Sequence, residues 1–209
     1  MRALLWDMNG VLVDDEPLQE EAWIAALSSA GIQLEDGWWQ EHFLGRRVSE
    51  TMEKLFGFTP DDYAGLLVNK TRHYSKAAAS GLPTGPGAVE MLHAAQTQGI
   101  KQALVTSAGP MTMDMILDHL NVREFFEALI CGRDVERGKP APDGFLLGAE
   151  RLGVAPEDCW VIEDSIPGLQ AAHAAGMRCV AITTSFPAIA LADAEIIVDT
   201  LSTDLLGRL

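Results

Sequence analysis

The chain has 209 residues and a formal net charge of −15 at pH 7, with 48% hydrophobic and 22% charged residues. This composition excludes disordered and fibrous chains, because it supplies enough apolar side chains to fill a core. The negative charge argues against nucleic acid and membrane surfaces as partners. Three cysteines, Cys131, Cys159 and Cys179, lie in apolar runs without metal-ligand spacing, which indicates buried thiols in a reducing compartment.

The N-terminus does not resemble a signal peptide, because its apolar run is only residues 3–6 and Asp7 follows. No apolar run approaches the roughly 20 residues that a membrane-spanning helix needs. We therefore expect a soluble, monomeric, cytoplasmic protein.

Short apolar runs predict the strands of a parallel sheet. They lack polar alternation and, from the second onward, alternate with amphipathic helical patterns, which is typical of strands covered on both faces. The predicted strands are residues 3–6, 103–106, 128–131, 159–162, 179–182 and 195–198. The predicted fold class is α/β, with a Rossmann-like parallel sheet.

The first two predicted strands are separated by far more chain than the roughly 30 residues of a simple crossover unit. The intervening chain contains helical patterns at residues 18–30, 49–56 and 61–79, and a run of glycines and prolines at residues 81–87 suits a hinge. The sequence therefore predicts a helical cap domain of residues 16–80, inserted into a core domain of residues 1–15 and 81–209.

Polar residues follow the first two predicted strands. Asp7 ends the first strand before a turn-forming Asn9-Gly10 pair, and Thr106-Ser107 ends the second. Ligands of open α/β sheets bind beyond the carboxyl ends of the strands, where hydroxyl groups and free amides suit a phosphate. Taken singly, Asp7 also suits a turn and Thr106 a helix cap.

Two further segments carry charge. Lys139 is fixed between Gly138 and a Pro-Ala-Pro run, and Glu163-Asp164 ends the fourth strand. Adjacent buried carboxylates repel each other unless a cation lies near them, and oxygen ligands favour magnesium. A nucleophile, a hydroxyl group, a fixed cation and a metal-binding acid pair together favour phosphoryl transfer.

Three stretches carry a resemblance to a known family: residues 7–14 (DMNGVLVD), 138–143 (GKPAPD) and 163–172 (EDSIPGLQAA). They resemble the signature blocks of the haloacid dehalogenase (HAD) superfamily. Their order and the long first insertion are similar to the branch with a helical cap, which includes β-phosphoglucomutase and sugar-phosphate phosphatases.

The resemblance implies site roles and a magnesium cofactor. Asp7 would be the nucleophile that forms an aspartyl-phosphate, Thr106 with Ser107 and Ala108 would hold the phosphoryl group, and Lys139 would screen the charges. The implied magnesium ligands are Asp7, the main-chain carbonyl of Asn9, Glu163 and Asp164. The implied substrate-binding residues of the cap are Arg46 and Arg47.

The family pattern has a second aspartate, the general acid and base, where this sequence has Asn9. An amide cannot protonate a leaving oxygen, and general acid–base catalysis contributes roughly 10²–10⁴-fold. The sequence therefore predicts slow turnover, raised by Asn9→Asp on sugar phosphates. Gln19 also stands where the sugar-phosphate branch often has histidine.

We expect a magnesium-dependent phosphatase of a small phosphorylated metabolite, with a sugar phosphate favoured, and Asn9 argues against mutase chemistry. The alternatives are a β-phosphoglucomutase-like isomerase and a catalytically weak phosphate-binding protein, which Asn9 would suit. A dehalogenase needs no magnesium, so the Glu163-Asp164 pair argues against it.

Overall fold

A parallel sheet of six strands forms the centre of the computed structural model, which describes residues 2–35 and 37–209. The strand order is β3-β2-β1-β4-β5-β6. The strands are β1 (Ala3–Trp6), β2 (Lys101–Val105), β3 (Ala128–Ile130), β4 (Cys159–Glu163), β5 (Arg178–Ile182) and β6 (Ile196–Val198). The predicted α/β class with a Rossmann-like parallel sheet is confirmed, and each predicted strand overlaps an observed one.

Side chains of β1 alternate between two apolar layers, because successive residues of a strand point to opposite faces. Leu4 and Trp6 pack in one cluster, whereas Ala3 and Leu5 pack in the other. All four are fully buried. This explains why the strand has no polar alternation in sequence, since both faces of the sheet are covered.

Four helices cover the sheet: α4 (Ala88–Thr97), α5 (Pro110–Leu120), α6 (Asp143–Leu152) and α7 (Ile166–Ala174). The buried residues of α4 and α5 belong to the first apolar cluster, and those of α6 and α7 to the second. Helix α4 is absent from the predicted elements. It begins directly after the glycine- and proline-rich run, from Gly87 in a left-handed conformation (φ 75°).

Between β1 and α4, the described residues form three α-helices: α1 (Glu16–Ser29), α2 (Val48–Phe56) and α3 (Pro60–Ala78). A π-helical turn at Trp39–Phe43, absent from the predicted elements, precedes α2. The turn packs with Trp23 of α1 and Tyr63 of α3 in a separate apolar cluster. We call residues 16–80 the helical segment.

The two connections of the helical segment lie side by side. Val13 and Thr84 form an antiparallel bridge, and the Gly85 amide donates to the Leu12 carbonyl at 2.8 Å. A Cβ atom on Gly85 would lie 1.7 Å from the Val11 oxygen, so this contact requires glycine. The predicted hinge at residues 81–87 is thus tied to the chain that leaves β1.

Within the described ranges, no helix has the length and apolar character required to cross a membrane. The three cysteines are buried and form no disulfide.

Candidate active site

The predicted catalytic side chains meet at the carboxyl edge of the three central strands. Asp7 follows β1, Thr106 follows β2 and Asp164 follows β4, and these strands are neighbours in the sheet. Lys139 reaches the same place from the loop between β3 and α6. Because parallel strands end at one edge, residues far apart in sequence come together there.

Lys139 is the centre of the buried charge cluster. Its ammonium group donates a hydrogen bond to Oδ1 of Asp7 and another, at 2.6 Å, to Oε1 of Glu163. Lys139 is 6% exposed and Glu163 is 1% exposed. Burial works to lower the pKa of Lys139, but the charges of Asp7 and Glu163 outweigh it and raise that pKa above its usual value. The lysine is therefore a fixed positive charge beside Asp7.

Glu163 is held at both oxygens. Oε1 accepts from Lys139, and Oε2 accepts from the amides of Asp164 and Ser165 and from the Ser165 hydroxyl group, each at 2.9 Å. The carboxylate therefore orients Lys139 and the turn that carries Asp164. Its predicted role as a magnesium ligand stays a prediction.

One oxygen from each of Asp7, Glu163 and Asp164 can lie within 4.8 Å of the others. Burial raises the pKa of Asp7 to about 7, against the lowering effect of Lys139. Burial, and then the charge of Glu163, also raise the pKa of Asp164 well above its usual value. One ammonium group does not balance three buried carboxylates, so these oxygen donors fit a divalent cation such as magnesium.

A close backbone approach shapes this acidic site. Gly10 has φ 78°, and a Cβ atom there would lie 1.8 Å from Oδ2 of Asp164. The same Asp164 oxygen accepts a hydrogen bond from the Ser185 hydroxyl group. Gly10 therefore allows the loop that follows β1 to approach Asp164 closely.

The hydroxyl and amide groups after β2 have different partners. Oγ1 of Thr106 accepts from the Ala108 amide at 3.0 Å, and the Ser107 hydroxyl group is 3.4 Å from the Gly45 carbonyl of the helical segment. Thr106, Ser107 and Ala108 all line one cavity with Asp7. The predicted phosphate-binding residues are thus brought together with the predicted nucleophile.

This cavity lies between the sheet edge and the helical segment and has a volume of about 990 Å³. Asp7, Asn9 and Asp164 line it from the sheet side, and aromatic side chains including Trp23 and Tyr63 line it from the helices. Its positively charged lining residues are Arg46, Arg47, Lys70, Arg72 and Arg133. A cavity of this size and charge suits an anionic small molecule.

The two predicted substrate-binding arginines differ in their contacts. Arg46 is exposed and lines the cavity. Nη1 of Arg47 donates to the carbonyl oxygens of Val135 and Glu136 at 2.8 and 3.0 Å. The Gly138 amide also donates to the Glu50 carboxylate at 2.8 Å. The start of α2 is therefore fastened to the loop that carries Lys139.

Sequence reasoning did not identify a second buried polar cluster near the site. Asp15 is 0% exposed and accepts hydrogen bonds from Asn9, Gln19 and Tyr74. Lys70 donates in turn to Oε1 of Gln19. The available sequence signal was the acidic run Asp14-Asp15-Glu16, which also suits the start of a helix.

The family model described as "Hydrolase: haloacid dehalogenase-like hydrolase" matches residues 1–176. The chain belongs to this family. The HAD resemblance of its sequence blocks is thereby confirmed.

Individual HAD relatives cover nearly the whole chain. Validoxylamine A 7'-phosphate phosphatase from Streptomyces hygroscopicus subsp. limoneus is 30% identical, and the match covers 96% of this chain and 94% of that protein. A crystal structure of a CbbY mutant from Rhodobacter sphaeroides, in complex with xylulose-(1,5)bisphosphate, has 25% identity and a TM-score of 0.85. That match covers 96% of this chain and 94% of the CbbY chain.

The fold also matches β-phosphoglucomutase from Clostridium difficile, with a TM-score of 0.87 at 22% identity, covering 100% of this chain and 96% of that one. One further relative, from Arabidopsis thaliana, is much longer, and the match covers 19% of it. Named phosphatases recur among the HAD relatives, and the protein is a phosphohydrolase of this family.

Proposed function

We propose that this HAD protein is a magnesium-dependent phosphatase of a small sugar phosphate, acting through an aspartyl-phosphate on Asp7. The observation that carries the proposal is the hydrogen bond from Lys139 to Asp7, because Asp7 lines the cavity together with Asp164. Relatives named for hexitol and fructose-1-phosphate phosphatase activity support the substrate class. We further propose that residues 16–80 are the cap domain of this enzyme.

In this proposal a carboxylate oxygen of Asp7 attacks phosphorus, and the bond from phosphorus to the substrate oxygen breaks. Lys139 offsets the negative charge of the group in transfer, while Thr106, Ser107 and the nearby amides orient its oxygens. Water then attacks the phosphoryl group and restores Asp7. The helical segment covers the site and limits the access of other water.

Magnesium would be held by the carboxylates of Asp7 and Asp164 and by the Asn9 main-chain carbonyl, with Glu163 next to them. It would supply positive charge where two anions, the phosphate and Asp7, must approach each other. Asp7 and Asp164 line the cavity, whereas Glu163 is buried against Lys139.

The leaving oxygen must take its proton from water, because the Asn9 side chain has none to give at neutral pH. Phosphates with stable leaving anions should therefore react faster than sugar phosphates. A β-phosphoglucomutase-like reaction moves protons on sugar hydroxyl groups. It therefore depends more strongly than phosphate hydrolysis on an acid and base at position 9.

The proposal is tested by quenching the reaction with acid and locating the phosphoryl group by mass spectrometry. Acetyl phosphate and a panel of hexose phosphates serve as donors, with and without magnesium. We expect label on Asp7 that requires magnesium and disappears in Asp7→Asn. Label on serine or histidine, with Asp7 unlabelled, would contradict the mechanism.

A further inference from the structure

The side-chain NH2 group of Asn9 contacts both oxygens of one buried carboxyl group, that of Asp15. Nδ2 of Asn9 lies 2.9 Å from Oδ1 and 2.9 Å from Oδ2 of Asp15. The nitrogen of the Asn9 amide faces Asp15 and donates to both oxygens of its carboxyl group. The contact therefore fixes which way the amide points.

The two oxygens of Asp15 have different partners. Oδ2 accepts from Nε2 of Gln19 at 2.7 Å and from the Tyr74 hydroxyl group, as well as from Asn9. Oδ1 accepts from Asn9. Gln19 is itself oriented, because Lys70 donates to its Oε1. The donors around Asp15 are thus arranged for a carboxylate at this position.

Asp15 also connects parts of the fold that belong to different layers. Asn9 follows β1, whereas Gln19 is in α1 and Tyr74 in α3. Asp15 itself lies in the first connection of the helical segment, one residue before α1. A rotation of the helices away from the sheet would strain or break the Asn9 contacts.

We propose that Asp15 is a positioning residue that acts through Asn9, holding its amide in one orientation and fastening the first connection of the helical segment. Position 9, which carries the acid in the family pattern, carries an amide here, and the buried carboxylate beside it is Asp15. This inference rests on the proposed function only for its kinetic test, because the contact itself can be measured by unfolding.

The contact with Asp15 changes the expected result of a single substitution. Asn9→Asp places a second carboxylate against Asp15, where the two groups must repel each other or share a proton. It also removes both hydrogen bonds donated by Asn9. The isolated change should therefore not create a working general acid, in contrast to the expectation from the sequence alone.

A paired exchange avoids this conflict. In Asn9→Asp/Asp15→Asn, the new amide can keep its oxygen at the place of Oδ2, facing Gln19 and Tyr74. Its nitrogen then occupies the place of Oδ1 and donates to the carboxylate at position 9. The hydrogen-bond direction is reversed while the number of charges stays the same.

The experiment is a double-mutant cycle with two readouts. Turnover is measured on fructose 1-phosphate and on 4-nitrophenyl phosphate, and thermal unfolding is measured in parallel. We expect each single variant to unfold at least about 5 °C below the parent and the paired variant to recover most of that loss. We expect fructose 1-phosphate turnover to rise about 10²-fold from Asn9→Asp to the paired variant, with a much smaller rise for 4-nitrophenyl phosphate.

Tyr74→Phe is the matched control, because it removes a donor to Asp15 without touching Asn9. It should lower the unfolding temperature and leave the ratio of the two turnover numbers unchanged. Additive effects of the two single changes on unfolding would overturn the inference, whether or not the protein is active. So would full activation by Asn9→Asp alone. If unfolding shows coupling but no variant labels Asp7, the proposed function fails and the positioning contact stands.

Discussion

Lys139 donates a hydrogen bond to the carboxylate of Asp7 although 132 residues separate them in the chain. Both side chains are largely buried, and Glu163 is the second acceptor of the same ammonium group. The lysine therefore serves the proposed chemistry and the stability of the site together. Removing its charge leaves buried carboxylates without their counter-charge.

Lys139→Met should abolish labelling of Asp7 and lower the free energy of unfolding by about 3–5 kcal/mol, since unpaired buried charges are costly. Chemical denaturation and acid-quench labelling measure the two effects. Lys54→Met, an exposed lysine in α2, is the matched control and should change stability by less than about 0.5 kcal/mol. Retained labelling of Asp7 in Lys139→Met would remove the lysine from the mechanism.

Magnesium should raise the unfolding temperature of the protein and should have a much smaller effect on Asp164→Asn. A ligand at about 100 times its dissociation constant stabilises the folded state by about 2.7 kcal/mol. Calorimetric titration of magnesium and thermal unfolding with a chelator measure this. Asp193→Asn, at an exposed position away from the cavity, should bind magnesium like the parent. Turnover that survives exhaustive chelation would contradict the metal requirement and favour dehalogenase-like chemistry.

The two arginines of the helical segment should give different kinetic results. Arg46→Ala should raise KM about tenfold with unchanged stability, because the side chain is exposed at the cavity. Arg47→Ala should lower kcat as well as raise KM, because it removes the contacts that fasten α2 to the carbonyls of Val135 and Glu136. Steady-state kinetics on the best hexose phosphate separate the two cases. Unchanged KM in both variants would mean that this segment does not bind substrate.

Glu16 should make the protein less stable as the pH rises. Burial, and then the charges of Asp15 and Asp7, raise its pKa from 4.5 to about 8 in the folded state. The contribution of protonated Glu16 to the free energy of unfolding is complete below pH 4.5. It is lost as the pH rises through 8. Lys70, whose pKa burial lowers to about 8, is protonated in both states below that pH and does not change the slope there.

Between pH 5 and pH 8.5, Glu16→Gln should therefore lose about 4 kcal/mol less of its free energy of unfolding than the parent does. Urea unfolding in the presence of a chelator measures the difference, because bound magnesium would offset the charge of Asp7. Glu157→Gln, at an exposed position that does not line the cavity, provides the comparison. Parallel pH profiles of Glu16→Gln and the parent would contradict the assignment.

The sheet and its strand-end residues could be predicted because their signals are local. A strand covered on both faces is a short apolar run, and a functional residue follows it directly. Asp7, Thr106 and Asp164 all fit this rule, and the α/β class follows from the same runs. Lys139 does not follow a strand directly, and it could be predicted only because Gly138 and a Pro-Ala-Pro run flank it.

The cluster around Asp15 could not be predicted in this way. Its contact with Tyr74 spans 59 residues and depends on how α1 and α3 pack together. The contact of Arg47 with the loop before Lys139 spans 88 residues for the same reason. The π-helical turn at Trp39–Phe43 depends on tertiary packing too, since Trp39 stacks on Phe43 and Phe43 meets Trp23.

The bridge between Val13 and Thr84 has an evolutionary consequence. Since the sheet already holds both ends of the inserted chain together, the entropy of closing that loop grows only slowly with the number of residues between them. The inserted chain can therefore change in length at little entropic cost, provided that its contacts with Asp15 and with the Lys139 loop are kept. Lineages sharing this arrangement can therefore acquire new substrates by changing one insert while Asp7, Lys139 and Asp164 stay where they are.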